Sequence, residues 1–174
     1  MEHESHTVAL FADMLQLQRG LSVLREAGFD TRNLSVIGKN QHREADVTGL
    51  LVSGSGTRCW GRFGLLARSR WWPDGATALL LFPGVGQVVI VGPLVHALGD
   101  VLEGAADSAL GSTLASLGLP EDVAQHYDAA IRAGRLALVA HGAAGAAASA
   151  RRLLVATSAL EVRAHAAASH DAAW

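Results

Sequence analysis

Two strand–helix–strand patterns, one at each end of the chain, constrain the fold more than any other feature. The first opens with the apolar run Thr7 to Ala12, and Met14, Leu17, Leu21 and Leu24 then recur at helical spacing. Asp13 with Gln16 resembles a capping box, Gly28 supplies a stop, and "LSVIG" (Leu34 to Gly38) reads as the next strand. The pattern returns as a strand over Arg135 to Gly142, a helix over Gly145 to Ala159, and an alternating strand over Leu160 to His165. Two such βαβ halves predict an α+β, ferredoxin-like sheet. The nearly all-apolar "VALFA" and "LALVA" would lie centrally, and the strands carrying Ser35, Glu161 and Arg163 would form the edges.

This pairing divides the chain into a first half (1–38), an insertion (39–118), a helix plus second half (119–166) and a tail (167–174). The insertion holds a run from Gly75 to Gly99 without Asp, Glu, Lys or Arg, long enough to cross a bilayer. A single crossing would put the two halves on opposite sides, where they could not share a sheet. A return leg would carry Asp100, Glu103 and Asp107 into the bilayer, each costing about 2.5–3.5 kcal/mol near its centre. The run therefore reads as part of a hydrophobic helical hairpin that splits the ferredoxin-like domain, with Phe82, Pro83, Gly84, Gly86, Gly92 and Pro93 forming its bend. Gly104, Ser108 and Ser112 recur every fourth position on the following helix, a seam along which another helix can approach closely. Pro120, Glu121 and Asp122 open a further helix that Gly134 closes.

Composition narrows the function classes. Hydrophobic residues make up 50% of 174 and charged ones 17%, so the chain must bury much of itself. A formal net charge of -2 gives no global attraction for nucleic acid, and none is expected as a partner. The lone Cys59 excludes an internal disulfide and fits a reducing compartment, and "MEHESHTVAL" has no signal-peptide pattern, so a cytoplasmic, or membrane-peripheral, location is expected.

The candidate sites are few. His96, Asp100, Glu103 and Asp107 share one helical face, which could hold a divalent metal or stand as a solvated ion-pair stripe. Arg58, Trp60, Arg62, Arg68, Arg70, Trp71 and Trp72 form a cationic aromatic stretch suited to an anionic membrane surface, an acidic partner, or packing against the hairpin. Gly84 and Gly86 give only Gly-x-Gly, short of a nucleotide fingerprint. "HGAAG" (His141 to Gly145) leads from a strand into a helix N-terminus, either a plain turn or an anion site. His3, His6, His165 and His170 fall in expected tails, and Cys59 has no identifiable base. No catalytic residue, firm metal site or cofactor is predicted.

"WGRFG" (Trp60 to Gly64), "FPGVGQVVIVGPL" (Phe82 to Leu94), "LEGA" (Leu102 to Ala105) and "LGLPEDVAQHYDAAIRAGRLALVAHG" (Leu117 to Gly142) together resemble the bacterial general-stress, or heat-induced stress, protein family. "LLARSRWWPDG" departs from the glycine-rich apolar continuation usual in that family, which argues against a membrane-buried hairpin. The resemblance implies a stress-response setting and assigns no catalytic residue. The expected function is a non-enzymatic, stress-associated protein that forms a homo-oligomer through its apolar hairpin. A peripheral membrane protein and a ligand- or metal-binding ferredoxin-like module are the alternatives.

Overall fold

A computed structural model describes residues 4–39, 77–82, 86–94, 114–115 and 119–166. Their elements follow in the order β1 (Glu4–Phe11), α1 (Met14–Glu26), a 3-10 turn (Thr31–Asn33), β2 (Leu34–Lys39), β3 (Thr77–Phe82) and β4 (Gly86–Val91). After these come α2 (Glu121–Arg132), β5 (Leu136–Ala143), α3 (Ala144–Val155) and β6 (Glu161–Ala166). The chain is α+β, and its described strands form one sheet in the order β3-β4-β2-β5-β1-β6, with every neighbouring pair antiparallel.

The helix ends follow from local chemistry. Asp13 Oδ1 accepts the Gln16 N–H at 2.8 Å, but Gln16 Oε1 is buried without a partner, so only half of the capping box forms. At the other end of α1, Gly28 adopts a left-handed φ of 81°, Phe29 N–H reaches Leu24 O, and Gly28 N–H reaches Arg25 O. Gly134 (φ 87°) ends α2 with the same pair of bonds, from Arg135 to Ala130 O and from Gly134 to Ile131 O. Both are Schellman motifs, in which glycine takes a conformation that a Cβ would strain.

Strand alternation sorts the apolar residues onto two faces. Ala9, Phe11, Leu34, Val36, Leu136, Leu138 and Ala140 pack with the buried residues of α1 and α3. Val8, Leu10, Ile37, Val88, Ile90, Ala137 and Val139 pack on the other face with Ala124, Tyr127 and Ile131 of α2, and with Leu94 and Leu114. The helix that precedes the third βαβ strand in the chain thus covers the face that the two crossover helices leave open. Full burial of side chains such as Leu17, Leu21, Leu24 and Ile131 stabilises by roughly 1.5–3 kcal/mol each.

Two expectations need correction. β1 and β5 are central and β6 is an edge, but β2 is internal, because β4 pairs along its outer side from Val36↔Val91 to Lys39↔Val88. The second correction concerns the bend expected over Phe82 to Pro93 within a helical hairpin. Phe82 pairs with Gly86 at the end of a β-hairpin, and β4 continues to Val91. Four successive β-branched residues, Val88, Val89, Ile90 and Val91, favour a strand over a helix. Pairing on both sides also satisfies the backbone of this charge-free strand without lipid. Gly92 (φ 101°) and Pro93 then mark the exit from β4. A Cβ on Gly92 would run into the Leu34 carbonyl oxygen and stand 2.9 Å from Ser35 Cα. Among the described residues no helix is long and apolar enough to cross a membrane.

Candidate functional site: a histidine row and two unlike sheet edges

The polar constellation of this chain lies on the α2 face of the sheet, where alternation along β1 carries His6 beyond Leu10 and Val8. His6 pairs directly with His141 on β5 and with His165 on β6, so three imidazoles line up across adjacent strands. His141 Nδ1 stands 3.2 Å from His6 Nδ1, and the two rings meet edge to face with centroids 5.0 Å apart. On its other side His141 Nε2 lies 2.9 Å from Ser35 Oγ.

Hydrogen-bond accounting orders this chain. Ser35 is fully buried, and its Oγ accepts the Leu94 N–H at 3.1 Å. The tautomer of His141 couples the two contacts: if Nε2 accepts the Ser35 proton, Nδ1 donates to His6 Nδ1, and in the other tautomer both bonds reverse. Burial, and then the nearby His6, push His141 down to about 4, so it is neutral at physiological pH. Tyr127 continues the row from above: its hydroxyl is hydrogen-bonded to His165 Nε2 at 2.7 Å. Burial, then the charge of Glu161, raises the Tyr127 phenol and keeps it protonated, while burial, then Arg163, lowers His165. At the rim His126 Nε2 meets Glu161 Oε2 at 2.8 Å. Arg163 Nε is 2.7 Å from Glu161 Oε1, an ion pair by distance whose N–H is not aimed at that oxygen.

The Ser35–His141 pair has the separation of a nucleophile and its base. Its burial gives it a different role, since no reacting carbonyl can approach a hydroxyl that is 0% exposed and already holds Leu94. The row ties β2 to β5 and β5 to β1 through side-chain hydrogen bonds across the sheet.

The two edges of the sheet differ in kind. β6 alternates Glu161, Arg163 and His165 with Val162 and Ala164, and such inward-set charge protects an edge from pairing with another chain. β3 reads Thr-Ala-Leu-Leu-Leu-Phe, with no charge and no proline, and among the described residues nothing pairs with its outer side. A strand apolar at every second position on both faces has the composition of a central strand.

Of the residues singled out from sequence, Phe82, Gly86, Gly92 and Pro93 lie in or beside the β3–β4 hairpin. Pro83, Gly84, Gly104, Ser108 and Ser112 lie outside the described residues, as do His96, Asp100, Glu103 and Asp107. Arg58, Trp60, Arg62, Arg68, Arg70, Trp71 and Trp72 lie outside them as well. His6 and His165, expected in tails, are strand residues, because β1 begins at Glu4 and β6 runs to Ala166. The spacing His6, Val8, Leu10 carried the signal, with an imidazole on the face of two core residues. Among the described residues no group of three or more His, Cys, Asp or Glu is placed to hold a metal ion. No family model matches the chain, and neither a curated protein nor a solved structure does.

Proposed function

We propose that this protein is a non-enzymatic assembly protein that associates with copies of itself through β3. The observation that carries the reading is the uncharged β3 at the end of the sheet formed by the described residues, whose opposite edge is charged. Two β3 strands meeting antiparallel about a two-fold axis would join two sheets into one, and would cover a row of backbone donors and acceptors. The apolar hairpin remains the oligomer core in this reading, as a pair of strands. The order β2-β5-β1-β6, with α1 and α3 as crossovers, supports reading these elements as a ferredoxin-like frame. The β3–β4 hairpin and α2 are additions to that frame. The resemblance of Phe82 to Leu94 and Leu117 to Gly142 to general-stress proteins supplies the stress-associated setting.

Leu79→Lys combined with Leu81→Lys places two charges on one face of β3 while β4 keeps its pairing with β2. Native mass measurement at micromolar concentration is expected to show an oligomer for the natural chain and a smaller species for the variant, with equal helix signal in circular dichroism. A monodisperse natural monomer would sink the proposal, as would an oligomer that the two lysines leave intact.

A further inference from the structure

On the opposite side of the sheet from β3, a groove of about 810 Å³ opens between α3 and β6. Its floor is apolar and small, formed by Ala147 and Ala148 of α3 with Val162 and Ala164 of β6, and Arg151 and Arg152 stand on its wall. The first turn of α3 closes one end. Ala143 provides no side-chain cap and no acidic residue occupies that turn, so the positive end of the helix dipole borders the groove at Ala144 and Gly145.

Ser5 is the second observation. It is opposite Gly142 in the register and on the same strand face as Thr7, whose hydroxyl bonds Ala147 O of α3 at 2.7 Å. That places Ser5 beside the first turn of α3, as a lining residue of the groove that is only 9% exposed. Its hydroxyl has no hydrogen-bond partner among the described residues. Thr7, the next residue on the same strand face, uses its hydroxyl to fasten strand to helix, whereas Ser5 lines the groove. Arg151 is exposed and makes no ion pair with a described residue.

We propose that this groove binds a small organic carboxylate with an apolar body. The carboxylate accepts from the amides of Ala144, Gly145 and Ala146 and from the Ser5 hydroxyl. The apolar body lies along Ala147, Ala148 and Val162, and the arginines raise the local positive potential. The distance along α3 from Gly145 to Arg151 is about 9 Å at the helical rise, enough for a short alkyl chain.

Octanoate is the probe, followed by amide shifts in 1H–15N spectra, with octanol and inorganic phosphate as comparisons. Saturable shifts at Ala144, Gly145 and Ala146 are expected with octanoate, and binding about tenfold weaker with either comparison compound. Gly145→Asp supplies the decisive variant. Nothing lies within 4 Å of a Cβ there, and a carboxylate in the first turn suits the helix, so the fold should hold or gain in thermal midpoint. Octanoate affinity should nevertheless fall by about tenfold, and Ser5→Ala should lower it by about fivefold. Octanol or inorganic phosphate binding as tightly as octanoate would overturn the proposal. So would full octanoate affinity in Gly145→Asp, or no saturable shift in the natural chain.

Discussion

Acidification should destabilise this fold through His141, and the size of the effect can be worked from its surroundings. In the unfolded chain a histidine titrates near its ordinary value of about 6.5. In the folded chain burial and the neighbouring His6 hold His141 near 4. Above about pH 7 both states are neutral there and the group contributes nothing to the pH dependence. As pH falls below 6.5 the unfolded chain binds a proton that the folded chain refuses, so unfolding becomes easier. The slope is about 1.4 kcal/mol per pH unit, and the loss is complete near pH 4 at about 3 kcal/mol. His165, also lowered, acts in the same direction. For a domain with about 5–15 kcal/mol of total stability this is a substantial share. The assay is urea denaturation followed by circular dichroism between pH 8 and pH 4, with His141→Gln as the reference. Glutamine keeps a donor and an acceptor but does not titrate, so the difference between the two curves isolates His141. That difference should be flat above pH 7 and fall by about 3 kcal/mol down to pH 4. Parallel curves, or a His141 titration by NMR centred near 6.5, would refute the reasoning.

Two further outcomes follow from single contacts. Gly92→Ala forces a left-handed φ on a residue with a Cβ and drives that carbon into the Leu34 carbonyl oxygen. A loss of more than about 2 kcal/mol is expected, with amide exchange rising first in β4, where the exit of the hairpin is displaced. Tyr127→Phe removes the hydroxyl bonded to His165 Nε2 from a residue that is 2% exposed, and should cost about 1–2 kcal/mol in chemical denaturation. The same variant should shift the His165 imidazole resonances, and unchanged resonances would count against that hydrogen bond.

The pattern at the two ends of the chain made the central strands readable. "VALFA" and "LALVA" are apolar at every position, which only a strand covered on both faces requires. The helix stops were equally legible, since Gly28 and Gly134 end amphipathic runs and both take the left-handed conformation. The charge-free run was misassigned because hydropathy is blind to period. Leu79 to Leu81 and Val88 to Val91 are apolar at consecutive positions, which suits a buried helix as well as a strand covered on two faces. The β-branched residues of β4 were the available discriminator. The histidine row was missed for a different reason. His6, His141 and His165 lie far apart in sequence and converge only through strand register, and His6 precedes the apolar run that marked the strand. The anion groove was half visible, since "HGAAG" announced a helix N-terminus, but Ser5 joins it only through pairing with Gly142.

The place of β5 governs when this sheet can exist at all. It is inserted between β2 and β1, so these two strands, successive in sequence, do not touch in the folded sheet. Thr7 reaches its helix partner across a separation of 140 residues. A chain halted before Leu136 would hold β1 and β2 with an unfilled slot between them, each offering bare edges to any passing strand. Assembly of the core therefore waits for the segment from Leu136 onward, and pairing between strands so far apart in sequence is the kind that slows folding.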